Sequence, residues 1–240
     1  MKLDILAFGA HPDDVEMSCI GTLMKHASLG YKFGIIDLTR GELGTRGTAE
    51  DRDAEAAAAA IISGASIRDN LMMRDSFFQN DEKHQLEIIK VLRKYQPEIV
   101  FANAIADRHP DHGKAALLVR DACFLSGLMK IETHDDSGKP QNAWRPKTVY
   151  HYIQDKDLVP DFLVDVSEFT EKKFECIHAF RSQFYDKDNQ TEPVTYISKP
   201  EFLDTLRGRM LILGKHIGVK YAEGFMTNRF IGLHDLMKVK

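Results

Sequence analysis

Short apolar runs alternate with segments of helical periodicity in the first half of the chain. The runs at 3–9, 31–39 and 99–104 have the length and composition of buried β-strands. Between them, 15–29 and a segment that begins at Asn80 or Asp81 carry apolar residues at a spacing of three or four, which predicts helices. This alternation predicts an α/β fold with a Rossmann-like, doubly wound, mostly parallel sheet flanked by helices.

Capping and turn residues refine the element boundaries. Thr48 and Asp51 form the pattern of a capping box, and Gly64 marks the end of the helix that follows. Pro97 should end the helix that begins near Asp81. The pattern also predicts strands at 67–73, 148–153 and 162–166, and helices at 114–128, 168–180 and 200–215. Residues 221–225 have no clear periodicity and are interpreted as part of a mixed tail.

Composition limits the classes of protein and partner. The chain has 240 residues, a hydrophobic fraction of 43% and a net charge of −4, so we expect one globular domain over 1–240. Because no long block of like charge occurs, we expect no nucleic-acid partner. No apolar run approaches the ~20 residues that cross a bilayer, so we expect no membrane partner.

Two further features indicate a cytoplasmic location. The amino-terminal segment meets Asp4 directly after Leu3 and lacks a basic region and a cleavage site, so we interpret it as a strand and not as a signal peptide. Cys19, Cys123 and Cys176 are odd in number and lie in apolar surroundings. We expect buried free thiols in a reducing compartment, with spare metal ligands as the alternative.

The candidate chemistry lies in two similar motifs. Ala10-His11-Pro12-Asp13-Asp14 follows the first apolar run, and His109-Pro110-Asp111-His112 follows the run at 99–104. In a parallel sheet, both motifs would lie at the carboxyl ends of strands, where such folds bind their ligands. Proline disfavours helical backbone at the preceding histidine and suits the first position of a helix. Each motif is therefore predicted to be a bend at the start of a helix.

Together the motifs offer three imidazoles and three carboxylates, which is a donor set for a divalent cation such as zinc. The spacing does not decide which three residues are ligands. An unligated carboxylate would serve as a general base, and an unligated histidine as an acid or an oxyanion partner. The first strand is not followed by a dinucleotide-binding glycine fingerprint, which argues against a nicotinamide enzyme.

These motifs resemble those of the LmbE/PIG-L family of zinc-dependent deacetylases, which act on N-acetylglucosamine groups of small conjugates. The segments 39–48, 180–183 and 221–225 are similar to the branch that contains the bacillithiol-biosynthesis deacetylases. The resemblance implies an LmbE-like fold, N-acetylglucosaminyl malate as the substrate, and one Zn²⁺ per chain, with Fe²⁺ as another candidate metal. It also implies a homo-oligomer, because family members often assemble as dimers or hexamers.

The resemblance also implies roles for individual residues. His11, Asp14 and His112 would bind zinc, and Asp13 would be the general base. His109 would be the cation beside the oxyanion and the acid for the leaving amine. Asp111 would orient His109 through its carboxylate.

Two substrate-binding residues are also implied by the resemblance. Arg52 stands where family members keep an arginine near the substrate, although it would equally suit a solvated position on an alanine-rich helix. Tyr196 is the nearest candidate for a mobile tyrosine that covers the site in the family.

Three alternatives remain open from the sequence. The first is a deacetylase of another N-acetylglucosamine conjugate. The second is a phosphoesterase or nuclease, which would usually hold two bridged metals roughly 4 Å apart. The third is a sugar-binding protein with an inactive site, which would be expected if a ligand or the base were replaced; neither motif has such a replacement.

Overall fold

The fold is built on one seven-stranded sheet with the strand order β3-β2-β1-β4-β5-β7-β6. The computed structural model describes residues 1–187 and 193–238. The strands are β1 (Ile5–Gly9), β2 (Phe33–Thr39), β3 (Ile67–Met73), β4 (Ile99–Ala102), β5 (Thr148–Tyr152), β6 (Phe162–Asp165) and β7 (Ala222–Thr227). The helices are α1 (Asp14–Ser18), α2 (Ile20–Ser28), α3 (Ala49–Ser63), α4 (Glu82–Tyr95), α5 (Pro110–Leu125), α6 (Thr170–His178) and α7 (Pro200–His216). Short 3₁₀ turns cover Ser167–Phe169 and Leu236–Lys238.

The predicted doubly wound sheet is confirmed. Strands β1 to β5 pair in parallel, whereas β7 is antiparallel to both of its neighbours, β5 and β6. The chain proceeds from β1 to β2 and β3 on one side and returns to β4 and β5 on the other side. The point where the order reverses therefore lies between β1 and β4, and open α/β sheets bind ligands at the carboxyl ends of the strands there.

Both faces of the central strands are buried. On one face, Leu6 and Phe8 pack with residues of α4 and α5, and on the other, Ile5 and Ala7 pack with residues of α2. This two-sided burial explains why the strands are continuous apolar runs rather than alternating patterns. Within the described residues, no helix is both long and apolar enough to cross a membrane.

The structure corrects one predicted helix. The segment 15–29 forms two helices that meet at Cys19, whose backbone has φ −141° and ψ 7°. The first turn of the second helix is capped by a side chain from a distant strand. Glu223 accepts hydrogen bonds from the backbone N–H groups of Gly21 (3.1 Å) and Thr22 (2.7 Å). The apolar periodicity alone could not reveal this break, because its cause lies about 200 residues away.

The tail at 221–225 was also interpreted wrongly, because most of it forms β7, a fully inserted strand. Its central Glu223 is buried and pairs with Lys173 at 2.6 Å. A buried glutamate followed by Gly224 does not give the apolar run of an inner strand, and this explains the error. The three cysteines are buried and free, as the sequence predicts.

Candidate metal and catalytic centre

The two motifs are bends at helix starts, but they differ in detail. His109 precedes α5 with extended backbone and Pro110 is the first helical residue, as predicted. In the first motif, Pro12 does not begin the helix. Asp13 adopts a left-handed conformation with φ 116°, and α1 begins only at Asp14. A non-glycine residue in this region is strained, and such strain is frequent at functional sites.

The bends bring the predicted site residues together. The ring centroids of His11 and His112 are 5.8 Å apart, and His109 lies 4.8 Å from His11 and 5.1 Å from His112. All three line one cavity of about 300 Å³, together with Asp13 and Asp14. Residues almost one hundred positions apart in sequence therefore share one pocket at the carboxyl ends of β1 and β4.

Asp14 lies between two imidazoles. Its Oδ2 is 3.7 Å from His11 Nδ1, and its Oδ1 is 3.1 Å from His112 Nε2. The other nitrogen of each ring faces further carboxylates. His11 Nε2 lies 3.1 Å from Asp75 and 3.3 Å from Asp111, and His112 Nδ1 contacts Asp107. Carboxylates placed in this way fix the orientation and tautomer of metal-binding histidines.

Two buried amides hold the Asp14 carboxylate. Asn103 Nδ2 donates to Asp14 Oδ2 at 3.0 Å, and Gln154 Nε2 donates to Asp14 Oδ1 at 2.9 Å. The amides also bond to each other, since Asn103 Nδ2 donates to Gln154 Oε1 at 3.0 Å. The carboxylate is therefore held in one orientation, with both oxygens engaged by neutral donors.

Arg52 is not a solvated residue but the partner of the candidate base. Both Arg52 and Asp13 are buried, and Arg52 Nη2 donates to Asp13 Oδ2 at 3.0 Å. The guanidinium also donates to the Pro12 carbonyl and to Gln183 Oε1. A side chain at Gly41, whose φ is 65°, would collide with this guanidinium.

Burial raises the pKa of Asp13 to about 7, although the Arg52 charge opposes the rise. A carboxylate with a pKa near neutrality can accept and release a proton at working pH.

His109 and Asp111 touch in a way that differs from the prediction. The backbone N–H of Asp111 donates to His109 Nδ1 at 3.3 Å. The Asp111 carboxylate instead lies beside His11 and accepts from the Ser76 backbone N–H at 3.0 Å. The expected contact from the Asp111 carboxylate to His109 is therefore wrong. Asp111 is in the first turn of α5, where its amide reaches the preceding histidine and its side chain reaches the neighbouring bend.

His109 is half-buried, and its pKa is shifted in the opposite direction from the pKa values of His11 and His112. Burial lowers the pKa of His109, and the positive charges of His11 and His112 lower it further. Since Nδ1 accepts a hydrogen bond, the proton of the neutral ring lies on Nε2. The role of His109 as an acid remains a prediction.

Comparisons with known proteins identify the family of this chain. The family model "PIG-L: GlcNAc-PI de-N-acetylase" matches residues 6–123, a range that contains both motifs. The crystal structure of the conserved protein TT1542 from Thermus thermophilus is similar over 99% of this chain and 100% of that chain, with 32% identity and a TM-score of 0.86. The chain belongs to the PIG-L family. It is a metal-dependent deacetylase.

Curated relatives of this PIG-L-family chain have two kinds of activity. The diacetylchitobiose deacetylase of Thermococcus kodakarensis is 28% identical, over 96% of this chain and 85% of that protein. The 4-oxalmesaconate hydratase of Pseudomonas putida is 26% identical, over 74% of this chain and 73% of that protein. Similar chains therefore include both a deacetylase and a hydratase. An assay that measures directly which bond is cleaved distinguishes these two activities.

The residues of the PIG-L-family site fit a divalent cation. One carboxylate and two ring nitrogens face each other around Asp14, and nitrogen and oxygen donors of this kind suit zinc or iron. Two other groups have donor atoms that all lie within 4.8 Å of one another: His11 with Asp75 and Asp111, and His11 with His109 and His112. His11 is common to all three groups. The proposed ligand set of His11, Asp14 and His112 therefore competes with two alternatives. One of them shares only His11 with it, and the other shares both His11 and His112.

Charges at the site favour a proton where a cation would bind. Burial alone would lower the pKa of His11, but hydrogen bonds to Asp111 and Asp75 raise it to about 9. Burial would also lower the pKa of His112, but the charge of Asp14 and the hydrogen bond to Asp107 raise it to about 10. A cation therefore has to displace protons from both rings.

Tyr196 lies at the rim of the cavity. Its hydroxyl donates to Asp155 Oδ1 at 3.0 Å, and the Arg108 guanidinium lies 4.5 Å from its ring centre. The residue is 46% exposed and lines the cavity. A role in covering the substrate remains a prediction.

Sequence reasoning missed four residues that support the site: Asp75, Asn103, Asp107 and Gln154. Three of them follow closely after β3, β4 and β5, at the edge of the sheet where the motifs lie. The rule that ligands bind at the carboxyl ends of strands could have identified these three. Asp107 gave no comparable signal.

Proposed function

We propose that this deacetylase hydrolyses the acetamide of an N-acetylglucosaminyl conjugate, that N-acetylglucosaminyl malate is the substrate, and that zinc is the resident cation. The observation that carries the proposal is the position of Asp14 between His11 Nδ1 and His112 Nε2. With their second ring nitrogens facing carboxylates, these two histidines and Asp14 would hold the cation. A bound zinc ion supplies Lewis acidity at the acyl oxygen and acidifies a bound water.

Asp13 is the group that removes the proton from the attacking water. It lies next to Asp14 in the chain and lines the same cavity, but it pairs with Arg52 rather than with a histidine. Burial raises the pKa of Asp13 to about 7, so it can both accept this proton and give it up again near neutral pH. Arg52 holds the carboxylate in place while the proton moves.

His109 would deliver a proton to the leaving amine. It lines the cavity on the second motif, and its Nδ1 is oriented by the Asp111 amide. In the balanced reaction, the water oxygen bonds to the acyl carbon and the C–N bond breaks. The leaving nitrogen gains its proton from His109, and the proton that Asp13 took from the water replaces the one His109 gave up. The products are acetate and a free glucosamine conjugate.

The cavity suits a sugar conjugate that carries negative charge. Its volume of about 300 Å³ is at the lower end of small-molecule pockets. Arg108 lines its mouth with a side chain that is 52% exposed, so its guanidinium can meet a carboxylate of a malate group. A neutral disaccharide would gain less from this arginine.

A panel of substrates tests the proposal. Acetate and free amine should appear from N-acetylglucosaminyl malate faster than from free N-acetylglucosamine or diacetylchitobiose. Chelation should abolish the release, and zinc should restore it. If the protein hydrates a dicarboxylic acid and releases no acetate from any N-acetyl sugar, the proposal is wrong.

A metal-dependent phosphoesterase is the second candidate. The second donor group, His11 with Asp75 and Asp111, is the observation that favours it, because a two-metal site needs two adjoining ligand sets. Elemental analysis that gives two metals per chain, with phosphate release from a generic phosphoester, would support this alternative. One metal per chain supports the deacetylase.

We also propose a cytoplasmic homo-oligomer that does not bind nucleic acid. The carboxyl-terminal segment exposes Phe230, Leu236 and Met237, and a partner subunit would bury such apolar side chains. Light scattering after gel filtration measures the assembly directly, and a monomer at all concentrations would contradict this part of the proposal.

A further inference from the structure

Two groups of possible metal ligands share His11. Its Nδ1 faces Asp14, one of the residues proposed to hold the cation. Its Nε2 lies 3.1 Å from Asp75 and 3.3 Å from Asp111, and these three residues form the second group. With a cation on Nδ1, the neutral ring keeps its proton on Nε2. The second group then offers mainly carboxylate oxygens.

The side chain of Lys114 reaches one of these carboxylates from α5. Lys114 Nζ lies 2.5 Å from Asp111 Oδ1 and donates to the Ser76 carbonyl at 2.7 Å. It also lies 5.0 Å from the centre of the buried Phe78 ring. A carboxylate oxygen, a carbonyl oxygen and an aromatic face all attract a positive charge. The ammonium group therefore occupies a position that suits a cation.

Asp111 depends on this ammonium for its charge balance. Asp111 is fully buried, and its Oδ2 faces His11 and accepts from the Ser76 backbone N–H at 3.0 Å. Its Oδ1 makes no hydrogen bond to the described residues and has only the ion pair with Lys114. Without Lys114, a buried carboxylate oxygen would lack a compensating charge, which is costly. Such an oxygen would bind a cation from solution instead.

A cation from solution can reach this position. The Lys114 side chain is 35% exposed, and both Asp75 and Ser76 line the cavity that contains the histidines. The lysine is therefore the group that stands between the second set of donors and a dissolved metal ion.

We propose that the ammonium group of Lys114 takes the place of a second divalent cation and so keeps this enzyme to one metal per chain. The inference rests on the proposed cation site of His11, Asp14 and His112. It adds the residue that separates a one-metal deacetylase from a two-metal phosphoesterase, because a two-metal site needs a second, adjoining set of free ligands.

Titration of the zinc-loaded protein with Mn²⁺ tests the proposal. Carboxylate and carbonyl oxygens suit Mn²⁺, whereas sites with imidazole ligands bind zinc more tightly than Mn²⁺. Zinc should therefore remain in the first site during the titration. The electron paramagnetic resonance signal of free Mn²⁺ measures how much of the ion is bound. Folded Lys114→Met should bind about one Mn²⁺ per chain at concentrations at which the wild type binds none.

Two variants control for unspecific binding. Lys90→Met is the matched control, because Lys90 pairs with Glu87 at 2.8 Å with the same i,i+3 spacing as Lys114 and Asp111, but outside the cavity. It should bind no Mn²⁺. Lys114→Arg keeps the positive charge and should also bind none. If Lys114→Met does not fold, Lys114→Gln makes the same test.

The position of the added ion is tested separately. Anomalous diffraction from Lys114→Met should place Mn²⁺ beside the Asp111 carboxylate and the Ser76 carbonyl, apart from the zinc. Adding Asp111→Asn to Lys114→Met should abolish the Mn²⁺ binding that the single variant gains.

The outcomes separate this inference from the proposed function. If Lys114→Met binds no Mn²⁺, or binds it away from Asp111, the lysine proposal is wrong and the deacetylase proposal stands. The same conclusion follows if the wild type binds Mn²⁺ as tightly as Lys114→Met does. If Lys114→Met gains Mn²⁺ beside Asp111 but the zinc-loaded wild type releases no acetate, the lysine proposal stands and the deacetylase proposal fails. Zinc bound by His11, Asp75 and Asp111 in the wild type would overturn both.

Discussion

The buried pair of Arg52 and Asp13 makes the sharpest prediction about pH dependence. Replacing Arg52 by glutamine removes the positive charge that lies 3.0 Å from the Asp13 carboxylate. The Arg52 charge holds the pKa of Asp13 below the value that burial alone would give. Without that charge, the protonated form is favoured and the pKa rises.

The size of the effect follows from the geometry of the pair. An adjacent arginine typically lowers a carboxyl pKa by about 1–3 units, and a short contact in a buried site belongs to the upper part of that range. Because a general base works in its ionised form, activity falls as pH drops through the pKa of Asp13. The acid limb of the kcat/KM profile should therefore move upward by about 1–3 pH units in Arg52→Gln.

The assay is the pH profile of acetate release by the metal-loaded enzyme, with metal content and folding verified at each pH. Arg52→Lys keeps the charge and should keep the acid limb near its wild-type position, even where kcat falls. Arg40→Gln is the surface control, since Arg40 pairs with Asp53 and Glu50 outside the cavity. An acid limb that does not move in folded, metal-loaded Arg52→Gln would refute the assignment of Asp13 as the base.

Three further predictions concern the cation and the acid. Gln154→Leu removes an amide that holds Asp14, so it should weaken zinc binding by about 10–100-fold in a chelator competition. Gln141→Leu is the control: Gln141 lies away from the site and bonds to the Lys90 carbonyl, so this change should leave zinc binding unaltered. His109→Ala should lose about 10²–10³ in kcat while it still binds one metal, as measured by steady-state kinetics and elemental analysis. At pH 8, zinc binding should release at least about two protons, because the pKa of His11 is raised to about 9 and that of His112 to about 10, and an acidified zinc-bound water can only add to the count. Calorimetry in buffers of different ionisation enthalpy counts these protons.

Each of these has a contrary outcome. Unchanged zinc affinity in Gln154→Leu would mean that the amide does not orient Asp14. Full turnover by His109→Ala would remove His109 from the mechanism. Zinc binding with no proton release would place the metal away from His11 and His112.

The sequence predicted those parts of the protein whose signals are local. Each histidine-proline-aspartate motif carries its own bend and follows its own apolar run, so the doubly wound sheet brings His11 and His112 to one edge without further information. The capping box at Thr48 and the left-handed Gly64 were predictable for the same reason, because their interactions span three or four residues.

Long-range contacts were not predictable from these patterns. Glu223 caps α2 and pairs with Lys173 across the fold. The first contact accompanies the break in the expected helix, and the buried charge of Glu223 removes the apolar pattern by which β7 could have been predicted. The pairing of Asp111 with His11 rather than His109 is of the same kind. Proximity in the sequence predicted that the Asp111 carboxylate would contact His109. In the fold, the two bends approach each other and bring this carboxylate to His11 instead.

The central claim is that His11, Asp14 and His112 hold one cation, and anomalous diffraction at the zinc edge tests it most directly. The account predicts one peak per chain, at about 2.0–2.2 Å from His11 Nδ1, an Asp14 oxygen and His112 Nε2. A peak bound by His11 Nε2, Asp75 and Asp111, or by all three histidines without Asp14, would contradict it.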